Sequence, residues 1–203
     1  GDGEFRFPCG VDTDESGNVY VLDAGNQRVQ KFSSDGQFLT KWGKLGSGNG
    51  EFNFLENDEF VSGNKAARIA VSNQGDVYVT DILNHRVQKF TSNGDFVGKW
   101  GREGSSDGEF RQPAGITIDG TGNVYVVDTG NNRIQKFTSD GRFTQKWGEF
   151  GSGLGEFIDP RGSITSDSNG SIYVSDTIHH RIQKFDSNGQ FLTKWGPGDG
   201  SEE

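Results

Sequence analysis

One phrase recurs four times along this 203-residue chain: QFLTKWG at 37–43, DFVGKWG at 95–101, RFTQKWG at 142–148 and QFLTKWG again at 190–196. Its tryptophans, Trp42, Trp100, Trp147 and Trp195, are separated by 58, 47 and 48 residues. Each copy follows a basic-apolar phrase, RVQKF at 28–32 and 86–90, RIQKF at 133–137 and 181–185. Earlier in each unit stand NVYVLD (18–23), DVYVTD (76–81), NVYVVD (123–128) and SIYVSD (171–176). A further segment opens each unit and is clearest as GITID at 115–119. These segments alternate apolar and polar residues with a period of two and are rich in Val, Ile, Tyr and Phe, the pattern of half-buried strands. The connectors SSDG, TSNG, TSDG and DSNG carry the Asn, Asp and Gly residues that hairpin turns demand. Four antiparallel strands repeating every 40 to 50 residues, roughly, is the signature of a propeller blade. Such a sheet cannot bury both faces alone, and a lone sheet would leave aromatic rows in water.

Composition fits this reading. Only 30% of the residues are hydrophobic and the mean hydropathy is -0.71, thin for a helical bundle but sufficient for strands that bury alternate residues. The 16 Phe, 4 Trp and 4 Tyr residues compensate with large buried areas. The net charge of -9 argues against nucleic acid and anionic membrane surfaces as partners. A single cysteine, Cys9, excludes an internal disulfide and a cysteine-rich zinc site. No apolar run approaches the ~20 residues of a membrane span. The chain has no methionine, which marks it as a processed product, a fragment or a partial chain.

The phrases N-V-Y-V-x-D, N-x-R-I-Q-K-F, G-x-F-x-x-K-W-G, G-E-F and P-x-G-I, repeated in order over nearly the whole length, resemble NHL repeats. The resemblance implies an all-β propeller of four four-stranded antiparallel blades, at about 5–43, 52–101, 110–148 and 157–196, with an acidic tail at 197–203. NHL propellers usually have six blades. Four could close as a small ring, pair with a second copy as an eight-blade ring, or form part of a larger propeller.

Features present in every unit read as scaffold. The pairs Asp23/Arg28, Asp81/Arg86, Asp128/Arg133 and Asp176/Arg181 look catalytic in isolation, but an active site sits in one place whereas a hairpin brace is needed in every blade. Lys31, Lys89, Lys136 and Lys184 read as solvated outer-strand charges that discourage edge pairing. The acidic run DTDESGN (12–18) resembles part of a calcium loop, but the equivalent turns DGTGN and SDSNG hold fewer carboxylates and the distal bidentate glutamate is missing. Asn169-Gly170-Ser171 is a glycosylation sequon in the matching turn of the fourth unit.

Function is sought where the units differ. His85 and His180, with His179 beside the latter, occupy the loops between second and third strands, where the other blades have Gln27 and Asn132. In a closed four-blade ring these histidines would face one another across the mouth, where a pair can bind metal or exchange protons. The tolerance of Asn and His for left-handed turn geometry accounts for the same residues without a ligand. In the related peptidyl-hydroxyglycine amidating lyases, zinc is bound by histidines in P-H-x phrases before the first strand. The matching phrases here are PCG, PAG and PRG, with Cys9, Ala114 and Arg161 at the histidine position, which speaks against that chemistry. Finally, Phe52 to Asp81 spans 29 residues where Phe5 to Asp23 and Phe110 to Asp128 span 18, so about eleven residues are inserted within 55–69, including Phe60. Inserted loops on rigid scaffolds often carry recognition.

The leading expectation is a non-catalytic scaffold binding a protein or other macromolecule, self-association included, through Cys9, Phe60, His85, Arg161, His179 and His180, with no cofactor. A metal-assisted hydrolase or lyase at the channel mouth is the alternative, and RNA binding, known for some animal NHL domains, ranks last on charge. The compartment stays open, with a secreted or extracellular setting leading.

Overall fold

A computed structural model describes residues 1–56, 59–60, 67–161 and 163–196, with backbone only at 55, 56, 59 and 60. Among the described residues, four four-stranded antiparallel sheets follow one another in chain order. Blade one comprises β1 (Pro8–Thr13), β2 (Val19–Asp23), β3 (Arg28–Phe32) and β4 (Phe38–Trp42). A two-stranded hairpin, β5 (Leu55–Glu56) and β6 (Glu59–Phe60), lies within the insertion. Blade two is β7 (Ile69–Val71), β8 (Val77–Asp81), β9 (Arg86–Phe90) and β10 (Phe96–Trp100). Blade three is β11 (Pro113–Ile118), β12 (Val124–Asp128), β13 (Arg133–Phe137) and β14 (Phe143–Trp147). Blade four is β15 (Ile164–Ser166), β16 (Ile172–Asp176), β17 (Arg181–Phe185) and β18 (Phe191–Trp195). No helix is long and apolar enough to cross a membrane among the described residues. The acidic tail at 197–203 and most of the insertion lie outside them.

The sheets stack face to face, and every interface is built from the same parts. From blade one come Tyr20, Leu22 and Val29 with Trp42; from blade two Phe52, Ile69, Val77, Val79 and Phe90 meet them. Equivalent residues fill the second and third interfaces. The tryptophan sets the spacing. A methyl carbon on Gly94 would lie 2.5 Å from the Trp42 indole, and Gly141 and Gly189 stand in the same relation to Trp100 and Trp147. Only a residue without Cβ lets the neighbouring turn come so close, and the positive φ of +91° at Gly94 also favours glycine.

The repeated lysines are not solvated edge charges. They sit on third strands, which are paired on both sides. Each ammonium lies over the tyrosine ring opposite it, 5.0 Å from the Tyr20 centroid for Lys31 and 5.2 Å from Tyr78 for Lys89. Lys31, Lys89 and Lys136 also donate to the carbonyls of Ser92, Ser139 and Ser187 in the next blade's turn, at 3.2, 3.3 and 2.9 Å. They clamp blades together.

The Asp–Arg pair is the internal brace expected. Asp128 is fully buried, and its carboxylate accepts from Arg133 Nε at 2.7 Å, Arg111 N–H at 2.7 Å, Asn131 at 2.9 Å and Gln135 at 3.1 Å. Arg133 also donates to the carbonyls of Ser105, Ser106 and Glu109, fastening the incoming connector to the blade. The turns before second strands are closed by aspartates. Asp119 accepts from Thr121, Asn123 and Tyr125, and Asp14 in the DTDESGN turn accepts from Ser16, Asn18 and Tyr20. That run is a turn.

Replacing Asp128 by Ala strands a buried guanidinium and should cost about 3–5 kcal/mol in urea denaturation. Lys44→Ala, which removes an exposed pair with Glu51, should cost under ~1 kcal/mol. Burial pushes the Asp119 carboxyl up, but hydrogen bonds from Asn123, Thr121 and Tyr125 outweigh it and hold the pKa below the ordinary aspartate value. Its stabilising contribution is therefore complete above the unfolded pKa of ~3.9 and fades as pH falls through the lower folded value. Asp119→Asn should flatten that part of a stability-against-pH curve measured below about pH 4.

Candidate functional site

Between second and third strands each blade makes one turn of 3-10 helix, Ala24–Asn26, Ile82–Asn84, Thr129–Asn131 and Thr177–His179. Each ends on a left-handed residue: Gln27 (φ 53°), His85 (φ 53°), Asn132 (φ 54°) and His180 (φ 50°). Three of these side chains reach into the next blade. Gln27 Oε1 accepts the Phe54 N–H at 2.9 Å, His85 Nδ1 that of Gln112 at 3.0 Å, and Asn132 Oδ1 that of Asp159 at 2.7 Å. An Nδ1 acting as acceptor leaves the imidazole proton on Nε2. His85 is thus a blade-to-blade coupler.

The other two histidines part company. His179 is buried, with Nδ1 3.0 Å from both Asp176 oxygens, where the other blades use Asn26, Asn84 and Asn131. His180 is exposed. Trp195 is 50% exposed, and among the described residues blade four is not seen to pack on blade one, so the structure does not bring His85 and His180 together across a shared mouth.

The first strands of the four blades line a groove of about 530 Å³ that includes Cys9, Asp12, Arg68, Ile116 and Thr165. Cys9 donates its thiol to the Ala67 carbonyl at 3.3 Å, and burial pushes its pKa up to about 11, so it is a protonated thiol and a poor nucleophile at neutral pH. Arg68 Nη1 donates to the carbonyls of Cys9 and Ala67 at 2.9 and 3.1 Å. At the third P-x-G position Arg161 forms a two-pronged pair with Asp159 at 2.6 Å, while Ala114 is buried. The backbone of Phe60 pairs with Leu55, and its side chain lies outside what the structure describes. Among the described residues, no group of three or more His, Cys, Asp or Glu is placed to hold a metal ion.

Sequence reasoning passed over a set of apolar residues on the connectors. Leu45, Phe150 and Leu154 are 65, 71 and 62% exposed, and Ile178 in the fourth turn is 42% exposed. Their backbone is fixed. Leu45 bridges to Phe52 and Phe150 to Phe157, while Glu51 and Glu156 accept the N–H groups of Gly48 and Gly153. The available signal was positional: Leu154 stands where the other connectors have Asn49 and Asp107, and Phe150 where one has Glu103.

The NHL repeat profile matches residues 5–32, 64–90, 110–137 and 162–185, more than half of the chain. The chain belongs to the NHL repeat family. The Drosophila melanogaster protein brain tumor is 30% identical over 101 residues, 49% of this chain and 9% of that protein. Caenorhabditis elegans protein lin-41 is 49% identical over 41 residues, 20% of this chain and 4% of its own length. The chain therefore spans under a tenth of these curated relatives. Among solved structures, virginiamycin B lyase from Staphylococcus aureus superposes with a TM-score of 0.66 at 18% identity, covering 95% of this chain and 57% of the lyase. A gluconolactonase from Xanthomonas campestris gives 0.60 at 18%, covering 92% and 61%. At these identities the likeness is one of propeller fold.

If His85 couples NHL blades, His85→Asn should keep most of the stability and His85→Ala should lose ~1 kcal/mol in equilibrium unfolding. Cys9 should alkylate with iodoacetamide at pH 8 far more slowly than free cysteine, whose pKa is ~8.5, followed by intact mass.

Proposed function

We propose that this NHL array is a non-catalytic scaffold that binds a macromolecular partner, a protein before any other, on the face formed by its connectors and second-to-third-strand turns. The carrying observation is the display of Leu45, Phe150, Leu154 and Ile178 in water on backbone held by repeated hydrogen bonds. Rigid apolar anchors lose little entropy on binding, which suits protein recognition. Arg161 and His180 on the same face add polar contacts at its edge. The repeated carboxylates and guanidiniums are already engaged inside the blades, which supports binding rather than catalysis. The net charge of -9 makes nucleic acid the poorer partner.

The test is affinity capture from the native source by wild-type protein and by two variants, Leu45→Ser/Phe150→Ser/Leu154→Ser and Arg161→Ala/His180→Ala. A protein enriched by wild type should bind about tenfold or more weakly to the triple variant, a loss of ~1.4 kcal/mol. Capture unchanged by both variants would overturn the proposal, and stoichiometric metal on the purified protein would favour the hydrolase or lyase reading instead.

A further inference from the structure

The three connectors between blades, at 43–52, 101–110 and 148–157, follow one backbone path. In each, the N–H of the G-E-F phenylalanine reaches back to a carbonyl near the start: Phe52 to Lys44 at 2.8 Å, Phe110 to Arg102 at 2.9 Å and Phe157 to Glu149 at 2.8 Å. The G-E-F glutamate also folds back, one carboxylate oxygen accepting a loop N–H. Glu51 accepts from Gly48 at 2.9 Å, Glu109 from Ser106 at 3.0 Å and Glu156 from Gly153 at 2.8 Å. In the first two connectors the other oxygen meets a cation. Lys44 Nζ lies 3.2 Å from Glu51 Oε1, and Arg102 Nη2 lies 2.8 Å from Glu109 Oε1.

Connector three inverts that pair. Glu149 stands in the place of Lys44 and Arg102, so a second carboxylate springs from the position that supplies the cation elsewhere. Among the described residues, neither Glu149 nor Glu156 has a cationic partner. Two further residues change in the same stretch. Phe150 stands where the others have Leu45 and Glu103, and Leu154 where they have Asn49 and Asp107. Phe150 and Leu154 are 71 and 62% exposed. One connector thus lacks an internal cation and shows two apolar side chains to water, on an unchanged backbone. An exposed ion pair is worth little in water, but apolar neighbours that exclude water strengthen it. Two like charges left without a cation also choose the sign of what may dock beside them. Phosphate groups are repelled, and among the described residues no third ligand joins the two carboxylates to hold a metal ion.

We propose that connector three selects its partner by charge: the docked protein presents a lysine or arginine flanked by apolar side chains. Its cation takes the place that Lys44 and Arg102 fill internally, between Glu149 and Glu156, while the apolar neighbours cover Phe150 and Leu154. This rests on the reading of the connector face as a docking surface for a protein, and adds to it the chemistry of the segment that docks.

The test pans a random dodecapeptide library, displayed on phage, against the full chain, and measures enriched peptides by fluorescence anisotropy. Enriched peptides should carry Lys or Arg beside Phe, Leu, Ile or Trp. Glu149→Lys, which supplies the cation from within as Lys44 does, should weaken them about tenfold or more while keeping the wild-type melting temperature. Changing the peptide's basic residue to Ala should weaken binding to wild type by a similar factor and leave binding to Glu149→Lys unchanged or stronger, the coupling that marks a direct pair. Peptides that lose affinity for Phe150→Ser/Leu154→Ser but not for Glu149→Lys would overturn selection by charge and leave the docking face standing. Peptides indifferent to both variants, or no enrichment at all, would overturn selection by charge and count against the face as well. Stoichiometric calcium binding that Glu149→Lys abolishes would also overturn it, by making the two carboxylates a metal-ion site.

Discussion

The fold depends on a buried carboxylate that cannot be left unpaired. In each blade the aspartate ending the second strand holds the arginine that begins the third, and the two are cross-strand partners, as with Asp81 and Arg86. The guanidinium has more donors than one carboxylate can use, and the remainder grip the connector: Arg86 reaches the carbonyls of Ser47, Gly48 and Glu51. Gln88 adds a donor to the Glu51 carbonyl and another to Asp81. Glycine-rich segments that would otherwise wander are thereby fixed, and with them Phe52, Phe110 and Phe157, which enter the interfaces. Electrostatics of this kind adds little net stability over an apolar core, because desolvation consumes most of the gain. Its larger effect is to choose one path for the chain.

The second constraint is direction. Because the tryptophan of one blade requires the glycine of the next, blades stack in one order only. In such an array stability is close to a sum of blade and interface contributions. Each interface then contributes its own share of buried apolar surface, at roughly 25 cal/mol per Å². Among the described residues, the buried indole N–H groups of Trp42, Trp100 and Trp147 meet no hydrogen-bond acceptor. Shape, not polarity, keeps tryptophan there.

Strands, turns and the Asp–Arg brace were legible because each is local: a period of two, an Asn or Asp before Gly, and residues that fall opposite one another in a hairpin. What was not legible depends on the neighbouring blade. Lys89 reads as an edge charge until Tyr78 is seen beneath it and the Ser139 carbonyl beyond it. His85 admits a ligand role and a turn role on sequence alone, and only the Gln112 N–H arriving from blade three occupies its Nδ1. Leu45 and Phe150 carry no such signal, because no periodicity governs a connector. Their exposure follows from the path the arginines impose.

His179 and His180 show how finely this scaffold divides its residues. They are adjacent and chemically identical, yet His179 takes the place of an asparagine that secures the aspartate, while His180 stands in the coupling position of blade four and is exposed. The same left-handed backbone holds Gln27, His85 and Asn132, so the conformation is fixed by the turn and only the recipient of the side chain varies.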